Sequence, residues 1–175
     1  MKLRNSTLAL PALGALFIGI ATTGMSLGTA QAGSITGSCE GGHVQFMSST
    51  PISLEPTEVE ARLDGDLHTC QGTPTKEVGW STDFVGEASC LGVKGDMDAQ
   101  FHWGGGETSR VTGPFTLNGY AAPATNTLNI VEGPGKGGTV VITTGPIEKA
   151  GGTVTTCVDG PLKNVGMPVT GAQFT

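Results

Sequence analysis

The sequence predicts an all-β chain, an antiparallel β-sandwich or closed β-barrel of about eight or nine short strands tied by two disulfides. Three observations carry that expectation. Apolar and polar residues alternate with a period of two through several stretches, as they do when one face of a strand is buried. Glycine makes up 29 of the 175 residues and separates many of the Thr/Val-rich stretches, the punctuation expected of turns between short strands. Four cysteines, Cys39, Cys70, Cys90 and Cys157, lie beyond an N-terminal export signal, where the redox environment favours disulfides.

The export signal is the segment 1–32. Lys2 and Arg4 precede an apolar run that ends in the small-x-small triplet Ala30-Gln31-Ala32, the pattern of a cleaved secretory leader. Pro11 and several glycines and threonines interrupt the run, which weighs against a membrane anchor, and no later stretch is apolar enough to span a bilayer. Residues 33–175 are then expected to form a single all-β domain, secreted and extracellular or cell-wall associated. Both leader charges are basic and all 15 acidic residues follow them, so the mature chain has a formal charge near −8. An acidic chain without a basic cluster speaks against nucleic acid and against anionic lipid as partners.

The first strand is read at "HVQF", with Val44 and Phe46 inward. In "EVEARLDGDL", Val59, Ala61, Leu63 and Leu67 alternate inward against Glu58, Glu60, Arg62 and Asp66. Thr57-Glu58-Val59-Glu60 also fits a helix capping box, but the alternation continues and Asp64-Gly65 would stop a helix early, so a strand is preferred. "VGWSTDFVGEASC" places Val78, Trp80, Thr82, Phe84, Ala88 and Cys90 on one side. "MDAQFHW" does the same for Met97, Ala99, Phe101 and Trp103. "TLNIV", "TVVIT", "GTVTTCV" and the tail "MPVTGAQF" supply further short strands.

The hairpin in "AQFHWGGGETSRVTG" is fixed by parity. Phe101 and Trp103 share an inward face with Val111 and Phe115, and residues opposite each other in an antiparallel pair share a face. A loop over 104–108 sets Trp103 opposite Ser109, Phe101 opposite Val111 and Met97 opposite Phe115. Trp103 is then a core-edge rung more than a ligand platform. Pro114 has no N–H for a ladder, so its strand is an edge or carries an irregularity. Loops 104–108 and 132–138 are the candidate contact surfaces, and Trp103, Glu107 and Lys136 are their candidate binding residues.

Parity also pairs the cysteines. Cys39 and Cys70 both fall opposite in phase to the inward residues of their strands, and an antiparallel pairing brings them side by side. Cys90 is left to bond Cys157. No His/Cys cluster has zinc spacing, and His43, His68 and His102 stand singly, so no metal site is expected. Asp64/Asp66 and Asp96/Asp98 form two Asp-x-Asp pairs, read as solvent-facing turn carboxylates because neither continues into a calcium-loop spacing. Gly24-Met25-Ser26-Leu27-Gly28 matches a nucleophile elbow but falls in the leader. Gly133 to Gly138 matches Gly-x-Gly-x-x-Gly, yet a strand follows it where dinucleotide binding needs a helix, so a hairpin loop is expected and no cofactor.

The order "SCEGG", "PISLEP", "LHTC", "ASC", "FHWGGGETSRVTGPF" and "TTCVDGPL" resembles a group of small secreted actinobacterial Gly/Thr-rich β-domain proteins of unknown function. The resemblance implies a leader, a β domain and paired cysteines, and it assigns no functional residue. Taken together, the residues predict a non-catalytic extracellular or cell-envelope binding module. The alternatives are a secreted enzyme inhibitor with one stiff exposed loop, a small-ligand carrier with an internal cavity and, less favoured, a hydrolase with an ionisable cluster in a cleft.

Overall fold

The computed structural model describes residues 33–118, 123–146, 148–149, 152–153 and 162–175. Their strands are β1 (Gly37–Ile52), β2 (Thr57–Gln71), β3 (Glu77–Ser89), β4 (Gly92–His102), β5 (Thr108–Asn118), β6 (Ala124–Glu132), β7 (Thr139–Thr144), β8 (Glu148–Lys149), β9 (Gly152–Thr153) and β10 (Leu162–Phe174). From β1 to β7 each strand runs antiparallel to the next, and β10 lies between β7 and β1. The β1–β10 ladder, from Gly37↔Phe174 to Met47↔Asn164, closes the sheet on itself. The result is an eight-stranded antiparallel barrel. The two-residue strands β8 and β9 form a hairpin attached to β10 at Gly166↔Glu148.

This corrects the expected fold in three respects. The sheet is one closed barrel, which removes the sandwich alternative. Its strands are not short, since β1, β2 and β3 run for 16, 15 and 13 residues. And one disulfide, Cys39–Cys70, stands among the described residues instead of two. Cys157, the expected partner of Cys90, lies outside the described residues.

The strands are long because they run on through interior glycines. Gly65 sits directly opposite Trp80 in the β2–β3 ladder, and a Cβ on Gly65 would run into the indole ring. Gly86 sits opposite Gly95, and Phe84 Cζ lies 2.7 Å and 2.6 Å from where their Cβ atoms would be. An aromatic ring thus lies across both of these glycine gaps in the wall. Glycine in a strand interior is tolerated where another group approaches closely.

The expected inward residues of β2, β3 and β4 are all buried. Phe46, Phe84, Phe101, Phe115 and Phe174 are fully enclosed with Leu63, Leu67, Met97, Leu128 and Met167. Ring contacts link neighbours across the interior: Phe46–Phe84 at 5.8 Å, Phe84–Phe115 at 6.2 Å and Trp80–Phe101 at 6.1 Å between centroids. An eight-stranded barrel is about wide enough for side chains to fill, and these residues form one buried cluster inside it. Trp80 Nε1 is buried with no acceptor among the described residues. An unmet donor costs about 1–3 kcal/mol, but burying a ring of roughly 150–250 Å² contributes about 4–6 kcal/mol, so packing wins at this position.

The Cys39–Cys70 bridge joins directly paired residues of β1 and β2. Parity placed both sulfurs on the outer face, yet both residues are buried, at 3% and 5% exposure. The reason is a shift of alternation at one level of three adjacent strands. Leu67 and Cys70 are both buried with Thr69 between them at a φ of +54°. Val169 and Ala172 are both buried across an irregularity at Gly171. Gly41 and Gly42 take up the same change in β1. The bridge encloses a sequence separation of 31 residues, for which chain entropy gives about 3.7 kcal/mol through the unfolded state.

Gly65→Ala is expected to force the Trp80 ring from its seat and lower stability by about 1–3 kcal/mol, the usual range for overpacking. Chemical denaturation followed by tryptophan fluorescence checks this, and Gly79→Ala, where nothing lies near the added Cβ, serves as the control that stays near wild type.

Candidate functional site

One end of the barrel gathers the β2–β3, β4–β5 and β6–β7 loops with residues 33–36 and the end of β10. Beneath the loops lies an aromatic layer in which Trp103 meets Phe174 at 5.6 Å and Phe101 at 6.4 Å.

The β4–β5 hairpin departs from the expected register by two residues. Phe101 pairs with Ser109, Ala99 with Val111 and Gly95 with Phe115. The Trp103 N–H donates to the Glu107 carbonyl at 2.9 Å, so the loop is Gly104–Gly106 and not 104–108. Gly105 and Gly106 hold φ of +88° and +90°, a turn that consecutive glycines adopt without steric penalty. A shift of two leaves every side chain on its expected face, which is why parity alone could not detect it.

Trp103 is 3% exposed, a rung of the core and not a platform. Its indole N–H donates to Ser109 Oγ at 2.8 Å, and the Ser109 hydroxyl donates to the Pro134 carbonyl at 2.6 Å. This relay ties the β4–β5 loop to the β6–β7 loop. Ser109 is fully buried; sequence reasoning gave it only a place in the ladder, since nothing near it in the chain marks Pro134 as its acceptor. The second loop has its own frame. Ile130 N–H donates to the Gly138 carbonyl and Gly137 N–H to the Ile130 carbonyl, both at 2.9 Å, while Gly135 N–H donates to the Gly33 carbonyl at 3.1 Å. As expected, the Gly-x-Gly-x-x-Gly match is a hairpin loop followed by a strand.

On this frame Glu107 and Lys136 are exposed, as are Gly104–Gly106 and Gly137. The three candidate residues therefore share one end of the barrel, Trp103 beneath and the two charges above. On the outer wall below the loops, Arg110 donates to both carboxylate oxygens of Asp98, Nε to Oδ1 at 2.8 Å and Nη2 to Oδ2 at 2.6 Å. Its Nη1 reaches Glu132 Oε1 at 3.3 Å. The hydrogen bonds from Arg110 hold the Asp98 carboxyl below its usual range, against a smaller opposing effect of burial.

The other singled-out residues do not converge. Asp64, Asp66, Asp96 and Asp98 lie within β2 and β4 and not in turns, because the glycines beside them are strand residues. Asp64 pairs with Arg62 and Asp98 with Arg110. His43, His68 and His102 are exposed on β1, β2 and β4. Among the described residues, no group of three or more His, Cys, Asp or Glu side chains is placed to hold a metal ion. Toward the opposite end, a cleft of about 340 Å³ is lined by Pro56, Leu91, Lys94 and Leu117 among others.

Comparison with known proteins finds no matching family model, no matching curated protein and no matching solved structure. Among the described residues no helix is long and apolar enough to cross a membrane.

The Asp98 pairing makes a pH prediction. A carboxyl whose folded pKa lies below its unfolded value of about 3.9 adds stability above that value and loses it as pH falls through the folded pKa. Asp98→Asn is expected to remove part of the acid-limb loss of stability below about pH 4 while changing the melting temperature little at pH 7, since exposed pairs contribute about 0–1 kcal/mol. Thermal melts of both proteins between pH 2 and pH 7 check this.

Proposed function

We propose that the chain is a non-catalytic binding module of the extracellular space or cell envelope, and that its glycine-rich loop end is the contact surface. One observation carries the reading: the Trp103–Ser109–Pro134 relay fixes the bases of two loops to each other, while Glu107, closing the first loop, and Lys136, within the second, stand exposed to solvent. Binding residues are commonly carried on loops positioned by a rigid scaffold. The buried rings of Phe46, Phe84, Phe101 and Phe115 inside the barrel support surface binding over a carrier role. The flexible composition of Gly104–Gly106 and 133–138 supports adaptable contact over the stiff single loop of an inhibitor. Export by the segment 1–32, which lies outside the described residues, is part of the same proposal.

The test uses the oxidised mature protein incubated with envelope fractions of its producer. Retention is expected to fall at least tenfold in a Glu107→Ala/Lys136→Ala double variant and to be unchanged in Asp83→Asn, a wall control. Equal retention of the loop variant and the wild type would contradict the assignment.

A further inference from the structure

The barrel wall is not uniformly sealed. The β4–β5 ladder runs unbroken in register from Gly92↔Asn118 to His102↔Thr108. Its neighbour, β5–β6, has only Arg110↔Glu132, Val111↔Ile130 and Thr112↔Asn129, with a register shift among them. From there both strands continue, residues 113–118 of β5 and 124–128 of β6, with no ladder pair between them.

Apart from Asn118, whose Nδ2 donates to the Pro123 carbonyl at 3.1 Å at the far end, one buried side chain spans the gap. Asn126 is 3% exposed. Its Oδ1 accepts from the Thr116 N–H at 2.7 Å, and its Nδ2 donates to the Thr116 carbonyl at 3.0 Å. One amide thus stands in for a backbone partner, satisfying both main-chain groups of Thr116. Main-chain groups alternate sides along a strand, so Pro114 presents the same side as Thr116 and has no N–H to offer there. The sequence feature that suggested an irregular strand is therefore located at the seam. Directly behind it lie Phe115, Leu117 and Leu128, all buried.

We propose that the barrel opens laterally at the β5–β6 seam, with Asn126 as the latch. Along the long ladders β1–β2, β2–β3 and β4–β5, separating two strands breaks a row of backbone hydrogen bonds together. Here rotation of one side chain releases both bonds to Thr116, and the Phe115–Leu117–Leu128 layer becomes accessible from the side while the other ladders stay intact. Regions held by few hydrogen bonds open at lower free energy than the global unfolding.

Thr112 and Thr116 provide an internal comparison: same residue type, same strand, same side, one in the ladder and one at the latch. Residue-resolved amide hydrogen exchange by NMR on the oxidised protein, corrected for intrinsic rates, is expected to show Thr116 exchanging at least tenfold faster than Thr112. In Asn126→Ala the Thr116 rate is expected to rise at least a further tenfold with Thr112 within threefold of wild type. Asn126→Asp, which keeps the shape and the acceptor but loses the donor, is expected to fall between them. Equal protection of the two threonines in the wild type, or equal acceleration of both in the variants, would overturn the proposal. Should Asn126→Ala fail to fold, the wild-type ratio and the Asn126→Asp measurement decide it.

Discussion

Aromatic rings seated over strand glycines set the terms for the rest of this structure. Where Trp80 lies on Gly65 and Phe84 on Gly86 and Gly95, the absent side chain in the wall becomes room for a large one in the interior. The exchange lets one strand continue through a glycine that would otherwise weaken it. It also admits rings large enough for a single layer of strands to enclose a filled core. Removing a glycine or removing its ring disturbs the same contact from opposite sides, through overpacking in one case and a cavity in the other.

Much of the fold was legible because a strand declares its buried face every second residue. The inward sets of β2, β3 and β4 follow directly from Val59/Leu63/Leu67, Val78/Trp80/Phe84 and Met97/Ala99/Phe101. The Cys39–Cys70 pairing followed from the same alternation. What was not legible is what alternation leaves open. The two-residue register shift at Phe101↔Ser109 preserves every face. The β1–β10 closure joins residues more than a hundred positions apart. The burial of the disulfide depends on Thr69 at positive φ and on irregularities at Gly41–Gly42 and Gly171, local shifts of phase that composition does not announce. Glycine was ambiguous for a related reason: its presence says that a side chain is absent, and not whether a turn or a neighbouring ring needs the space.

The candidate site shows a similar division. Glycine spacing alone placed Lys136 on its loop and Glu107 beside the other, where it closes the turn. Their common end, and the buried relay that joins those loops, required the tertiary arrangement. The result is a stiff base under a glycine-rich surface, with hydrogen bonds from Trp103 through Ser109 to Pro134 below and open space around Gly105, Gly106 and Gly137 above. At the β5–β6 seam the order is reversed, and both main-chain groups of Thr116 rest on one amide, that of Asn126. Stability is therefore unevenly distributed around the barrel, and that unevenness is encoded by Pro114 and Asn126.

Closure of the sheet by β10 against β1 is the central structural claim, because the filled interior and the shared loop end both depend on it. Cross-strand nuclear Overhauser contacts between Val44 and Met167, and between Phe46 and Val165, test it most directly, since these residues are register partners across the closing ladder. The account predicts both contacts in the same sample as the β6–β7 contact between Leu128 and Val140. Strong β6–β7 contacts with none between β1 and β10 would show an open sheet and contradict it.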